Sequence, residues 1–131
     1  PVQTDHTNAE RIARDRLQAH AVEAAEQCGG TFVPEVAALA PLSGLLDRWD
    51  KGRRILWADE ALAGPAATLA ALPRGPWAIL IGPEGGWSAA ERARLGALEG
   101  VTRVSLGPRI LRADTAAVAA LALWQAALGD W

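Results

Sequence analysis

The chain has 131 residues, half of them apolar and 21% charged, with a formal net charge of −2. That is long enough for one domain with a core of its own, and it excludes a protein drawn to nucleic acid by a global basic field, so any such contact must be local. One cysteine, Cys28, and two histidines, His6 and His20, leave no disulfide framework and point away from a metal site. No apolar run approaches the roughly 18 residues that span a bilayer, and the start, Pro1 to Asp5, does not read as a signal peptide. The compartment expected is the cytoplasm. All basic residues except Lys51 are arginine, a bias that a GC-rich genome produces as readily as a need for phosphate-binding forks.

Residues Asn8 to Cys28 carry a helical period, with Thr7 or Asn8 as the expected N-cap and Gly29-Gly30 as the stop. Thr31 to Val36 reads as a short strand that Pro34 confines to an edge or a strand end. Ser43 is placed to cap a short helix through Trp49, Arg54 to Ala58 reads as a buried strand, and Pro65 to Leu72 as a short helix. The uninterrupted apolar run Trp77 to Ile81 has the look of a strand covered on both faces. Ser88-Ala-Ala-Glu91 is a capping box opening the next helix. Val101 to Leu106 follows as a strand, Gly107 to Ala113 as a loop and Thr115 to Leu128 as a helix apolar on nearly every side. Alternation of strand and helix predicts an α/β domain with a mostly parallel sheet flanked by helices, and one domain over residues 1–131. The last helix, with Val118, Leu121, Leu123, Trp124 and Leu128, must be wholly buried or lie at a subunit interface.

Two loops stand where open α/β sheets place ligands, at the carboxyl ends of strands. The first is Gly82-Pro83-Glu84-Gly85-Gly86. Its glycines permit close backbone approach and positive φ, Glu84 supplies a carboxylate, and the helix that follows offers free N–H groups. It has neither the Gly-Lys-Ser/Thr of a phosphate loop nor the spacing of a dinucleotide fingerprint, which makes nucleoside triphosphates and NAD poor ligands. The second loop runs from Leu106 to Thr115, with Arg109, Arg112 and Asp114 around Ile110 and Leu111. Two bulky apolar residues between charges suit a pocket for a flat apolar group such as a purine; they could equally pack under the sheet, with Asp114 as an N-cap. Cys28 reads as a structural thiol.

Taken together, Ile81 to Ser88, Glu91, and Ser105 to Ala116 resemble the 16S rRNA uridine-N3 methyltransferases of the SPOUT superfamily. Glu23 to Gln27 and Val33 to Val36 resemble that family's other motifs in the right order, so the likeness runs from about Thr4 to Leu128. The resemblance implies a C-terminal deep trefoil knot, S-adenosylmethionine (SAM) as cofactor, 16S rRNA as substrate, a homodimer and no metal. Cofactor contacts would fall on Gly82, Glu84, Gly85 and Gly86, and on Leu106, Gly107, Ile110, Leu111, Arg112 and Thr115, with Trp57 and Ala58 as a third wall. Uridine N3 must lose its proton to attack a sulfonium methyl. Arg112 is the candidate to steady the uracil anion, and Glu84 or Asp114 to take the proton. Three departures stand out. A PUA-like RNA-binding domain and the first strand and helix of the catalytic domain are expected to be missing, and Gly30 stands where many relatives carry arginine. A non-catalytic SAM- or RNA-binding dimerisation module is therefore the alternative.

Overall fold

The computed structural model describes residues 1–8, 10–62 and 69–130. In chain order its elements are β1 (Val2–Gln3), α1 (Arg14–Cys28), β2 (Ala40–Pro41), α2 (Leu42–Asp47), β3 (Arg54–Ala58), β4 (Trp77–Ile81), α3 (Ala89–Ala97), β5 (Val101–Val104) and α4 (Ala113–Leu128). β1 and β2 form a short parallel pair; β4, β3 and β5 form a parallel sheet in that order. The α/β parallel architecture expected from the alternation is the one observed.

Its centre is β3. Ile55 and Trp57 enter one core with Leu42, Leu46, Trp87 and Leu95, under α2 and α3. Leu56 and Ala58 enter the other with Leu69, Val104 and Leu128, under α4. This is the period-two alternation of a strand with helices on both faces, and each fully buried aliphatic chain contributes roughly 1.5–3 kcal/mol. Trp77–Ile81 has the expected strand bounds, yet every one of its residues is only half-buried. β4 lies at the edge of the sheet, a position that an apolar run alone does not reveal.

The N-terminal half departs more. α1 begins at Arg14 rather than near Asn8, because Thr7 is already engaged: its hydroxyl accepts from the Thr4 N–H and its own N–H donates to the Thr4 carbonyl. Gly29 ends the helix as expected, with φ 70°. No strand forms over 31–36; Gln18 reaches the Pro34 carbonyl and the Val36 N–H, and Arg14 the Val36 carbonyl. Side chains of α1 occupy the groups a ladder needs. Pro41, not Ser43, precedes α2, and Arg112, not Asp114, precedes α4. Of the helix expected over Pro65 to Leu72, residues 65–68 lie outside the described residues, and 69–72 form a turn closed by Leu72 N–H to Leu69 O.

Candidate active site

A cleft of about 290 Å³ opens at the carboxyl ends of β3, β4 and β5. Ala58, Asp59 and Glu60 form one wall, Gly82 to Gly86 the second, and Leu106, Gly107, Arg109, Ile110 and Leu111 the third. The two motif loops, separated in sequence by residues 87–105, thus meet around one space. They do so because β4 and β5 flank β3 in parallel, so all three strands deliver their ends to the same side.

Each glycine of the first loop has its own reason. A Cβ on Gly82 would lie 2.7 Å from the Trp87 indole nitrogen, and one on Gly85 2.9 Å from the His6 Cβ. Gly86 has φ +71°, and a Cβ there would meet the Glu60 carboxylate at 2.5 Å. Positive φ is therefore required at Gly86, while at Gly85 the constraint is His6. His6 Nδ1 donates to the carbonyls of Gly85 and Gly86, 2.9 and 3.1 Å away. The capping box forms as read: Ser88 Oγ accepts from the Glu91 N–H, and Glu91 Oε2 from the Ser88 N–H.

Beneath this loop lies a charge network. Asp59 is a fully buried carboxylate held by Arg92 from α3, Arg103 from β5 and the Ala61 N–H. Burial would raise its pKa; the hydrogen bonds from Arg92, Ala61 and Arg103 outweigh that and hold it below the ordinary 3.8. Arg92 also pairs with Glu60 and donates Nε–H to the Trp87 carbonyl at 3.2 Å. Its partners Asp59 and Glu60 offset the burial penalty and keep it firmly protonated. Arg103 lies over the Trp57 ring, 5.3 Å from its centroid.

The cleft gathers Ala58, Gly82, Glu84, Gly85, Gly86, Leu106, Gly107, Ile110 and Leu111 of the residues singled out in the sequence, and leaves four outside its lining. Trp57 is 1% exposed and points into the opposite core, since neighbours on a strand face opposite ways. Arg112, just before α4, and Asp114, in its first turn, lie exposed with their charged groups 3.8 Å apart, and Thr115 hydrogen-bonds the Asp114 carboxylate through its N–H at 2.7 Å. Glu84 makes no ion pair or side-chain hydrogen bond among the described residues and is exposed at the cleft. Sequence reasoning missed Asp59, Glu60 and Arg92. An acidic pair directly after a buried apolar strand was the available signal for the first two; Arg92 gave none.

A parallel α/β domain with a glycine-lined cleft at its strand ends is a ligand-binding domain of the nucleotide-cofactor kind. Residues 1–125 match the RNA methyltransferase domain family, and the chain belongs to that family. It is similar to the ribosomal RNA small subunit methyltransferase E of Bacillus subtilis, 37% identical over 115 residues, covering 82% of this chain and 44% of that protein. Two solved structures share the fold at 29% identity. One is a Legionella pneumophila protein in complex with the bound cofactor SAM, with a TM-score of 0.85 over 100% of this chain and 55% of that one. The other is the ribosomal RNA small subunit methyltransferase E of Neisseria gonorrhoeae bound to S-adenosyl methionine, with a TM-score of 0.82 over 98% and 54%. The chain spans about half the length of these relatives.

Proposed function

We propose that the chain is the SAM-binding catalytic part of an rRNA methyltransferase that modifies N3 of a uridine in 16S rRNA. The observation that carries the reading is the single cleft in which the glycine loop and the Leu106–Leu111 loop meet. The residues present fit the cofactor. Ala58, Leu106, Ile110 and Leu111 give an apolar bed for a purine, Gly82 to Gly86 allow close backbone approach, and Glu84 offers a carboxylate to a cationic ligand. When bound, SAM supplies an electrophilic methyl group on a sulfonium centre. Among the chain's own groups, Glu84 is the better placed acid to take the uridine N3 proton, because it lines the cleft and Asp114 does not. Arg112, with 82% of its side chain exposed beside the cleft's open rim, is free to reach a uracil carbonyl with its planar fork. Holding donor and acceptor in line supplies the rest.

Two surfaces support larger assemblies. α4 leaves Val118 and Leu121 exposed, 69% and 55%, and Leu121 lines an apolar hollow with Trp77, Ile79, Ile81 and Trp124. That is a face suited to a homodimer. A second cleft, of about 560 Å³, separates β1 from the open edge of β4 over an apolar bed of Leu42, Leu45, Leu46 and Trp49. This gap, with the chain's half-length match to its relatives, supports the reading that a further strand and helix complete the sheet and that an RNA-binding domain belongs to the whole protein. A deep C-terminal knot is proposed from the resemblance to the SPOUT superfamily, and the packing of α4 against β4 is compatible with it. Among the described residues no helix is long and apolar enough to cross a membrane; a cytoplasmic site is proposed from the RNA substrate. The test is methyl transfer by the full-length protein to small-subunit rRNA. The expected outcome is one N3-methyluridine per RNA from a dimeric enzyme, whereas bound SAM without transfer would point to the non-catalytic module.

A further inference from the structure

We infer that Arg92, anchored on Asp59, is a positioning residue that sets the width of the cofactor cleft; the inference rests on the SAM reading above. All three faces of the Arg92 guanidinium are in use. One nitrogen engages Asp59 and another Glu60, both just past the end of β3, while Nε–H donates to the Trp87 carbonyl at 3.2 Å, just past the glycine loop. Glu60 closes the ring by accepting from the Trp87 N–H at 3.4 Å. One wall of the cleft, through Asp59 and Glu60, is thereby joined by one planar cation to Trp87, the residue that follows the other wall, Gly82 to Gly86. Apart from Glu60, which reaches Trp87 directly, no other side chain among the described residues makes this link. A planar fork with bonds on three sides resists rotation in a way a single hydrogen bond cannot. Gly86 confirms how tight the join is, since only a residue without Cβ fits against Glu60 there.

Asp59 has a second arginine, and it provides the control. Arg103 holds the other carboxylate oxygen from β5 and stacks on Trp57, with no bond to the glycine loop. Both arginines therefore neutralise the same buried charge, but only Arg92 also bonds Glu60 and the Trp87 carbonyl. If their role were solely to stabilise the fold, trimming either would weaken the protein and its ligand binding in parallel.

The experiment compares Arg92→Lys with Arg103→Lys in the full-length protein, measuring melting temperature, SAM affinity by calorimetry, and steady-state KM for each substrate. Arg92→Lys is expected to raise the Kd and KM for SAM about tenfold, the scale of one lost charge-assisted hydrogen bond, with the KM for RNA within about twofold. Arg103→Lys is expected to lower the melting temperature comparably and leave the SAM Kd within about twofold. SAM affinities that fall in step with melting temperature in both variants, or an unchanged affinity in Arg92→Lys, would overturn the inference. Should Arg92→Lys fail to fold, Glu60→Gln leaves the buried pairs intact and reads the same tie. A rise of about threefold in SAM Kd supports the inference and no change overturns it. A wild-type protein that binds no SAM would sink the functional reading itself, a result distinct from either.

Discussion

The two loops that build the cleft are held in opposite ways. The glycine loop is braced on every side: Trp87 packs under Gly82, His6 ties the carbonyls of Gly85 and Gly86, the Gly86 N–H closes a turn on Pro83, and Arg92 grips the Trp87 carbonyl. The loop from Leu106 to Arg112 has little of this. Ser105 bonds Gly107 twice at 3.2 Å, and beyond that Ile110 stands 80% exposed with Arg112 reaching into solvent. An apolar side chain left in water beside a cleft stands ready for a ligand to cover it. One wall is thus built before binding, at no further ordering cost; the other gains its packing from the ligand. The contrast teaches where each kind of mutational damage should fall: stability together with cofactor affinity in the braced loop, cofactor affinity or turnover without loss of stability in the open one.

The largest effect expected lies in the open loop. Arg112→Lys in the full-length enzyme should lower the methylation rate by about 10²-fold, the scale of one preorganised donor. Melting temperature should not move, since the side chain is 82% exposed. SAM affinity should stay within about threefold, because Arg112 is not part of the cleft lining. Loss of SAM binding together with rate would reassign Arg112 to the cofactor, and a small effect on both would leave alignment by the loops as the whole mechanism.

A smaller effect is expected under the braced loop, where pH sharpens the contrast. The folded-state pKa of Asp59 is lowered, so its contribution is fully present above the unfolded value and is lost as pH falls through the folded one. Asp59→Asn should therefore cost stability at neutral pH, by about 2 kcal/mol or more given two arginines left facing a neutral amide. The difference from wild type should shrink as pH drops below 3.8. Thermal melts of both proteins across the acid range check this; a difference that stays constant with pH would remove Asp59 from the linkage.

How much of this was legible in the sequence follows from the range of the signals. The bounds of Arg54–Ala58 and Trp77–Ile81, the Ser88–Glu91 capping box and the Gly29 stop were all readable because each is written within a few adjacent residues. The cleft's second and third walls were legible as two loops, though only the fold brings them together. Asp59 had a local signal in its place after a buried strand, but its ion-pair network did not, because Arg92 and Arg103 lie 33 and 44 residues away and nothing local marks them. The resemblance places Trp57 in the third wall, yet strand alternation turns it into the core and leaves that wall to Ala58, Asp59 and Glu60. The start of α1 and the conformation of 31–36 depart from the local signals for a related reason. Thr7 and Val36 carry good local signals, but Thr4 and Gln18 claim their polar groups first.

The central claim is that the braced and open loops together form one SAM site, and the most direct test is a calorimetric titration of SAM into the full-length wild-type protein and into Gly86→Val. Wild type should bind one SAM per chain, with ATP and NAD far weaker. Gly86→Val should bind none, since the valine meets both a positive φ and the Glu60 carboxylate. Binding of ATP or NAD in preference to SAM, or unaltered SAM binding by a folded Gly86→Val protein, would contradict the account.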